Sequence, residues 1–358
     1  MTIEQRLKLI RSVGEEIITE EDLVSLLEAK STFKTYDGFE PSGRIHIAQG
    51  ILRATNVNRM IEAGAEFNML IADWHAWANN KLGGDLEKIQ TTGDYLVEVW
   101  RLTGMNLSRV NFLWVSDFVK DDAYWKMVMR IARNSTLKRI LRTSQIMGRS
   151  ESEVLQASHI LYPCMQCADV FWQDLDATQL GMDQRKVNML AREVGPKLFG
   201  KKPVVISHHM LLGLVPPKNH YDNLEKKIMD LKMSKSNPDS AIFMTDTESE
   251  ISRKIVKAYC PEGLVDGNPI LEYAKYLVFE VGKKFVVERS SKFGGDIVFS
   301  TFTELSKVFR DKELHPLDLK KAIVRELNNL VEPVRKAFDT NNRLRDLKDL
   351  VESFEVTR

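Results

Sequence analysis

Four clusters of residues carry side chains whose types and spacing suit chemistry. The first is Tyr36-Asp-Gly-Phe-Glu-Pro-Ser-Gly43-Arg-Ile-His46-Ile-Ala-Gln49-Gly50. A strand-like run enters a turn of small residues and leaves into a helical pattern. Backbone amides and the positive end of a helix then meet at a strand terminus, which suits phosphate. The wording is neither the P-loop nor the dinucleotide fingerprint, so alone it also fits an ordinary strand–helix turn. The second is Leu231-Lys232-Met233-Ser234-Lys235-Ser236-Asn237-Pro238. Two lysines three apart in a Ser-rich loop can close on a polyphosphate as mobile point charges, or simply be solvated. In the third, Tyr162, Gln166 and Asp169 follow i, i+4, i+7 spacing and so share one helical face, a polar stripe between apolar neighbours. The fourth is Gly181-Met-Asp183-Gln184-Arg185-Lys186, a glycine turn before a helix. Asp183 fits a helix cap or an acceptor for ribose hydroxyls. His75, after an apolar run, fits a pocket or a satisfied core histidine equally well.

Such clusters need a scaffold. Short apolar runs at 33–39, 67–74, 110–115 and 204–207 read as strands, and they alternate with helical patterns at 47–63, 86–102, 124–142 and 185–194. This alternation predicts an α/β domain with a Rossmann-like parallel sheet over residues 1–243. Ligands on such sheets bind beyond the carboxyl ends of the strands. Residues 214–240 combine prolines, asparagines and lysines with little apolar periodicity and read as a long functional loop. From 244 to 358 the pattern is mainly helical (248–259, 269–279, 303–309 and 316–338), with Pro316 and Asp318 marking a helix start.

Composition narrows the class. Lys and Arg number 51 against 50 Asp and Glu, a net +1 that excludes a histone-like cationic protein. A local patch still suffices for nucleic acid. Arg130, Arg133, Lys138, Arg139 and Arg142 stand in a stretch without acidic residues, as a phosphate-backbone contact or a solvated face would. No apolar run approaches the ~20 residues of a membrane span. Three cysteines make no disulfide framework, and a reducing, cytoplasmic setting is expected. Cys164-x-x-Cys167 lacks the further ligands that zinc needs, so it reads as two small buried thiols.

Taken in order, the clusters resemble a known family. His46-Ile-Ala-Gln49 stands where class I aminoacyl-tRNA synthetases have His-Ile-Gly-His, and Lys232-Met-Ser-Lys-Ser236 matches their second signature in full. With Tyr36-Asp-Gly-Phe-Glu-Pro-Ser-Gly, Tyr162-Pro-Cys-Met-Gln-Cys-Ala-Asp169 and Gly181-Met-Asp-Gln-Arg-Lys, the chain resembles tyrosyl-tRNA synthetases of the archaeal and eukaryotic cytosolic type from about residue 35 to 338. Two departures stand in the first signature: Ala48 for glycine, and Gln49, which can donate a hydrogen bond but carries no proton or charge. The resemblance implies a tyrosine–tRNA ligase that consumes ATP accompanied by Mg2+, with no zinc and no permanently bound cofactor. It implies that Tyr36 and Asp169 hold the substrate phenol, that Tyr162, Gln166 and Gln184 surround its ammonium, and that His75 lines the pocket. Gly43, His46, Gln49, Gly50, Gly181, Asp183 and Lys232 through Ser236, with Met233, Ser234 and Lys235, then belong to the ATP site. His46, Lys232 and Lys235 act on the phosphates. On the RNA side it implies that Arg185 reads the acceptor stem of tRNA(Tyr), and that Phe293, His315 and Asp318 meet the anticodon. An insertion at about 112–160 would carry the basic patch and a homodimer interface built on Phe118, Tyr124, Trp125, Met127, Met129 and Met147. Two readings compete: a tryptophan ligase, disfavoured because indole has no hydroxyl for Tyr36 and Asp169, and a non-catalytic paralogue, disfavoured by the intact lysine loop.

Overall fold

In the computed structural model, residues 1–147, 156–217, 231, 233, 235, 237–282 and 284–357 are described. Six strands form the central layer: β1 (Gly14–Ile18), β2 (Phe33–Phe39), β3 (Ala65–Ile71), β4 (Val110–Trp114), β5 (Ala177–Gly181) and β6 (Val204–His208). β2, β3 and β4 pair in parallel, as do β5 and β6, while β1 lies antiparallel on the outer edge of β6. The two three-stranded sheets, β1-β6-β5 and β2-β3-β4, meet at one point. There Asp176 donates its N–H to the Lys34 carbonyl at 2.9 Å and accepts the Lys34 N–H on Oδ2 at 3.0 Å. Both residues sit at the amino ends of their strands. Toward the carboxyl ends β2 and β5 share no ladder, and this break in the backbone pairing, termed the crevice, carries side-chain bridges instead.

Several elements differ from their sequence signals. The apolar run at 67–74 ends as a strand at Ile71, and Asp73–Ala78 is already helical. The helix expected over 124–142 is two helices, Asp122–Arg133 and Leu137–Thr143. Asn134, Ser135 and Thr136 interrupt it, and the Thr136 hydroxyl caps the second by accepting the Arg139 N–H at 3.2 Å. β1 and β5 gave no apolar signal, since one carries Glu15 and Glu16 and the other Thr178 and Gln179. The carboxy-terminal part is helical except for a short antiparallel hairpin, Phe285–Val287 with Ile297–Phe299. The helix Pro316–Thr340 does start with proline, capped by His315 Nδ1 accepting the Leu317 N–H at 3.1 Å.

The two signature segments are tied by backbone. Ile47 donates to the Ile242 carbonyl and Met244 to that of Ile45, each at 2.9 Å. His46 thereby pairs with Phe243. A π-helical turn, Ala48–Leu52, follows at once and runs into the helix Arg53–Glu62. Gly50 must be glycine there, since a Cβ would come within 2.5 Å of Met244 Sδ. Asp246 fastens this corner. Fully buried, it accepts from Arg44 at 2.8 Å, Lys254 at 2.6 Å and the Phe243 N–H at 2.9 Å, while its carbonyl takes Arg335 from the long helix. One apolar core continues past it, with Tyr95 against Phe338 at 5.4 Å. Asp246→Ala strands two cations around a buried hole, and denaturant unfolding should register a loss of about 3–5 kcal/mol. A loss below about 1 kcal/mol would show that the corner holds without its carboxylate.

Candidate active site

The helix Ala157–Trp172 lines the crevice with Tyr162, Gln166 and Asp169, all buried, as the spacing requires. Asp169 Oδ1 accepts the Tyr124 hydroxyl at 2.8 Å, and Oδ2 lies 3.1 Å from His75 Nε2. The sequence pattern had not singled out Tyr124 for this site, because it shows only as an aromatic in a helix. Tyr36, on β2, is buried beside this group, its hydroxyl facing Gln166 without closing a well-formed hydrogen bond. Burial and then the Asp169 charge push both the Tyr36 and Tyr124 phenols well above their usual range, so both stay protonated. Burial works to lower the His75 pKa, but Asp169 outweighs it and the net shift is upward. His75 also meets Tyr162 edge-on at 5.0 Å.

The other end of the pocket is a polar rim. Gln166 Nε2 donates to Gln184 Oε1 at 3.1 Å. The Tyr162 hydroxyl donates to Glu40 Oε1 at 2.7 Å, and Asn79 Nδ2 reaches both Glu40 oxygens at 3.0 and 3.2 Å. Glu40 lay inside the first motif with no role attached, because a half-buried glutamate next to proline carries no spacing signal.

Beyond the rim lie the groups expected at ATP. Gly181 ends β5 where a Cβ would meet Met210 Sδ at 2.5 Å and Asp183 Oδ1 at 2.6 Å. Asp183 and Gln184 follow in a 3-10 turn that leads into the helix Arg185–Phe199. Gln49 offers its carbonyl to Trp100 Nε1 at 2.9 Å, so its backbone is structural. Lys235 Nζ donates to Ser42 Oγ at 3.2 Å and to the Gly43 carbonyl at 3.5 Å. Burial, then the neighbouring Lys81 charge, lowers the Lys235 pKa to about 7, with Glu40 opposing. Gly43 has φ +123°, and Val356 Cγ2 sits 3.1 Å from where its Cβ would be. Thr357 reaches the same corner, donating to the Asn80 carbonyl at 2.9 Å and accepting the Gly83 N–H at 3.4 Å. Met233 is buried. Lys232, Ser234 and Ser236 lie outside the described residues.

The residues expected at RNA are more scattered. Arg185 pairs with Glu16 at 2.6 Å. Arg130 donates to the Leu198 carbonyl at 2.6 Å, and Arg139 pairs with Glu193 at 3.0 Å. Arg133, Lys138 and Arg142 are exposed. Phe293 is 63% exposed on a 3-10 turn, which excludes its being a core residue. Asp318 lies in the first turn of the helix that His315 caps. The apolar surface expected on the insertion is largely absent. Phe118, Tyr124 and Met147 are buried and Trp125 and Met127 half-buried, so of the six only Met129 is exposed. They pack the insertion onto its own sheet. An exposed aromatic beside the insertion is Trp77, edge-on to Trp74, which in turn meets Trp125.

With this geometry in hand, residues 28–332 match the family described as tRNA synthetases class I (W and Y). "Tyrosine--tRNA ligase 2, cytoplasmic" of Arabidopsis thaliana is 52% identical over 99% of this chain, which spans 46% of that relative's length. "Tyrosine--tRNA ligase 1, cytoplasmic" of the same plant is 49% identical, and the chain spans 90% of it. The crystal structure of tyrosyl-tRNA synthetase complexed with L-tyrosine from Pyrococcus horikoshii superposes with a TM-score of 0.91 at 38% identity, covering 99% of this chain and 100% of that one.

The Tyr124 bond to Asp169 is directly testable. Tyr124→Phe keeps the ring and removes one donor to a buried carboxylate. The loss expected from denaturant midpoints is about 1.5–3 kcal/mol. A stability within about 0.5 kcal/mol of the unsubstituted chain would mean that Asp169 does not depend on this hydroxyl.

Proposed function

The chain belongs to the class I tRNA synthetases of the tryptophan and tyrosine group, in its tyrosine–tRNA ligase branch, and we propose that it activates L-tyrosine with ATP and charges tRNA(Tyr). The observation that carries this reading is a buried polar cluster with two chemically distinct ends. Its closed end presents a buried carboxylate, Asp169, beside the Tyr36 hydroxyl, and its rim presents Gln166, Gln184, Tyr162 and Glu40. A phenol fits the first and an ammonium the second. An analogue without the hydroxyl leaves Asp169 desolvated and one partner short, which disfavours phenylalanine.

The tyrosine carboxylate attacks the α-phosphorus of ATP in line. A carboxylate–phosphorus bond forms, the bond to the β-phosphate bridge breaks, and pyrophosphate leaves. No enzyme side chain enters covalently. The protein holds the reactants in line and places positive charge where negative charge develops. His46, Lys232 and Lys235 serve the phosphates, and Asp183 serves the ribose at the end of β5. Mg2+ travels with the ATP phosphates, as it does in most phosphate-transfer chemistry. A terminal ribose hydroxyl of the tRNA then attacks the mixed anhydride and AMP leaves.

Residues 1–243 carry this chemistry and 244–358 the anticodon contact. Arg185 and the basic helices, with Arg130, Arg133, Lys138, Arg139 and Arg142, face the acceptor stem, while Phe293 stacks on an unpaired base near His315 and Asp318. The chain acts in the cytoplasm, as the names of its plant relatives suggest. It forms a homodimer through the insertion and the Trp74–Trp77–Trp125 group, so light scattering should give about twice 41.1 kDa. A monomer mass would end the dimer proposal.

Exchange of pyrophosphate into ATP, run with each amino acid in turn, should proceed with tyrosine alone. Exchange with tryptophan instead, or with none, overturns the reading. Asp169→Asn should raise the tyrosine KM roughly 10- to 150-fold, from the loss of a charge-assisted bond, with the ATP KM nearly unchanged.

A further inference from the structure

Four buried polar residues stand together in the crevice and have no part in the chemistry above. Arg53 is 2% exposed at the start of the helix that follows the signature turn. Its Nε lies 2.8 Å from Asp37 Oδ2 on β2. Its Nη1 donates to Gln179 Oε1 on β5 at 2.9 Å, and its Nη2 to the ring of His208 at the end of β6. Gln179 Nε2 closes the ring on His208 Nδ1 at 2.9 Å. The Gly38 N–H is held by Asp37 Oδ1 at 2.8 Å. Burial and then the Arg53 charge push His208 well below its usual range, so it stays neutral and can accept.

Their placement matters more than their charge. β2 and β5 share no backbone ladder over this stretch, and here side chains span the gap in its place. The spanning group fixes three things at once: Gly38 on one lip, the π-helical turn through Arg53, and the other lip through His208, the register partner of Gly181. His208 Nε2 lies 3.4 Å from where a Gly181 Cβ would be, and Asp183 Oδ1 lies 2.6 Å from the same point.

Resting on the function proposed above, we infer that Arg53, with Asp37, Gln179 and His208, is a positioning set for the nucleoside half of ATP, holding Gly38 and the Gly181–Asp183 turn at the separation that a ribose needs. None of the four makes or breaks a bond. Three of the tyrosine-pocket side chains, Tyr162, Gln166 and Asp169, stand on the helix Ala157–Trp172, outside the set, so disturbing it acts on ATP more than on tyrosine.

Two variants test this. Asp37→Asn keeps the shape and leaves Arg53 without its countercharge. The pair Asp37→Leu with Arg53→Met replaces a buried ion pair by apolar residues of similar volume, a change proteins often tolerate in stability. Tyrosine-dependent pyrophosphate exchange is followed with ATP and with 2′-deoxy-ATP. The unsubstituted chain should prefer ATP. In both variants the ATP KM should rise about tenfold or more and the preference over 2′-deoxy-ATP should fall toward one, with the tyrosine KM held within about twofold. A retained preference overturns the inference, as does an equal rise in both KM values or a failure of both variants to fold, which would assign the set to stability alone. An unsubstituted chain inactive with tyrosine would instead overturn the function on which the inference rests.

Discussion

Asp176, just ahead of β5, exchanges two hydrogen bonds with Lys34 of β2, and the working half of the molecule is organised around that junction. Its carboxylate also meets Lys30 at 2.7 Å and Lys201 at 3.2 Å. Burial alone would raise its pKa, yet the lysines and the Lys34 amide hold it below the usual carboxylate range. The strands are therefore joined by backbone at their amino ends, while toward the other end Asp37 and Gln179 are bridged through Arg53. A sheet closed along its whole length would have filled the space with backbone. A sheet open along its whole length would have had no fixed relation between Tyr36 on one side and Gly181 on the other. Joining the backbones at one end leaves the rest of the junction to side chains, and the candidate site stands against them.

Burying carboxylates requires partners, and three of the buried aspartates find them in three ways. Asp246 takes two cations and a backbone amide, and anchors a corner. Asp37 takes one guanidinium, and burial still pushes its carboxyl up to about 7. Asp169 takes a neutral phenol together with an imidazole. Of the three, Asp169 alone accepts from a phenol, which is why it reads as a binding group while the others read as framework.

The sequence exposed the parts that share a face or a motif. The i, i+4, i+7 spacing of Tyr162, Gln166 and Asp169 placed all three in the crevice because a helix keeps its period whatever surrounds it. Strands rich in Val, Ile and Phe were visible for the same reason. β5 was not, because Thr178 and Gln179 are buried polar residues, and their partners come from elements far away in sequence. Tyr124, Glu40 and Arg53 escaped for that reason too: each acts through a contact that spacing cannot encode. The insertion misled in the opposite direction. Its aromatics and methionines suggested a free surface, yet Phe118 and Tyr124 pack against Trp172 in the protein's own second core.

The segment around Val356 and Thr357 has a kinetic consequence. Its contacts with the Asn80–Gly83 corner join residues 277 and 274 positions apart. Contacts of such separation form late, because a long loop must close before they contribute. The turn that holds Gly43 and Lys235 is thus completed by chain synthesised hundreds of residues after it. On the ribosome, the tyrosine pocket can take shape while the phosphate end still lacks its buttress. The proposed amino-acid end and phosphate end of the site are therefore completed at different stages of synthesis.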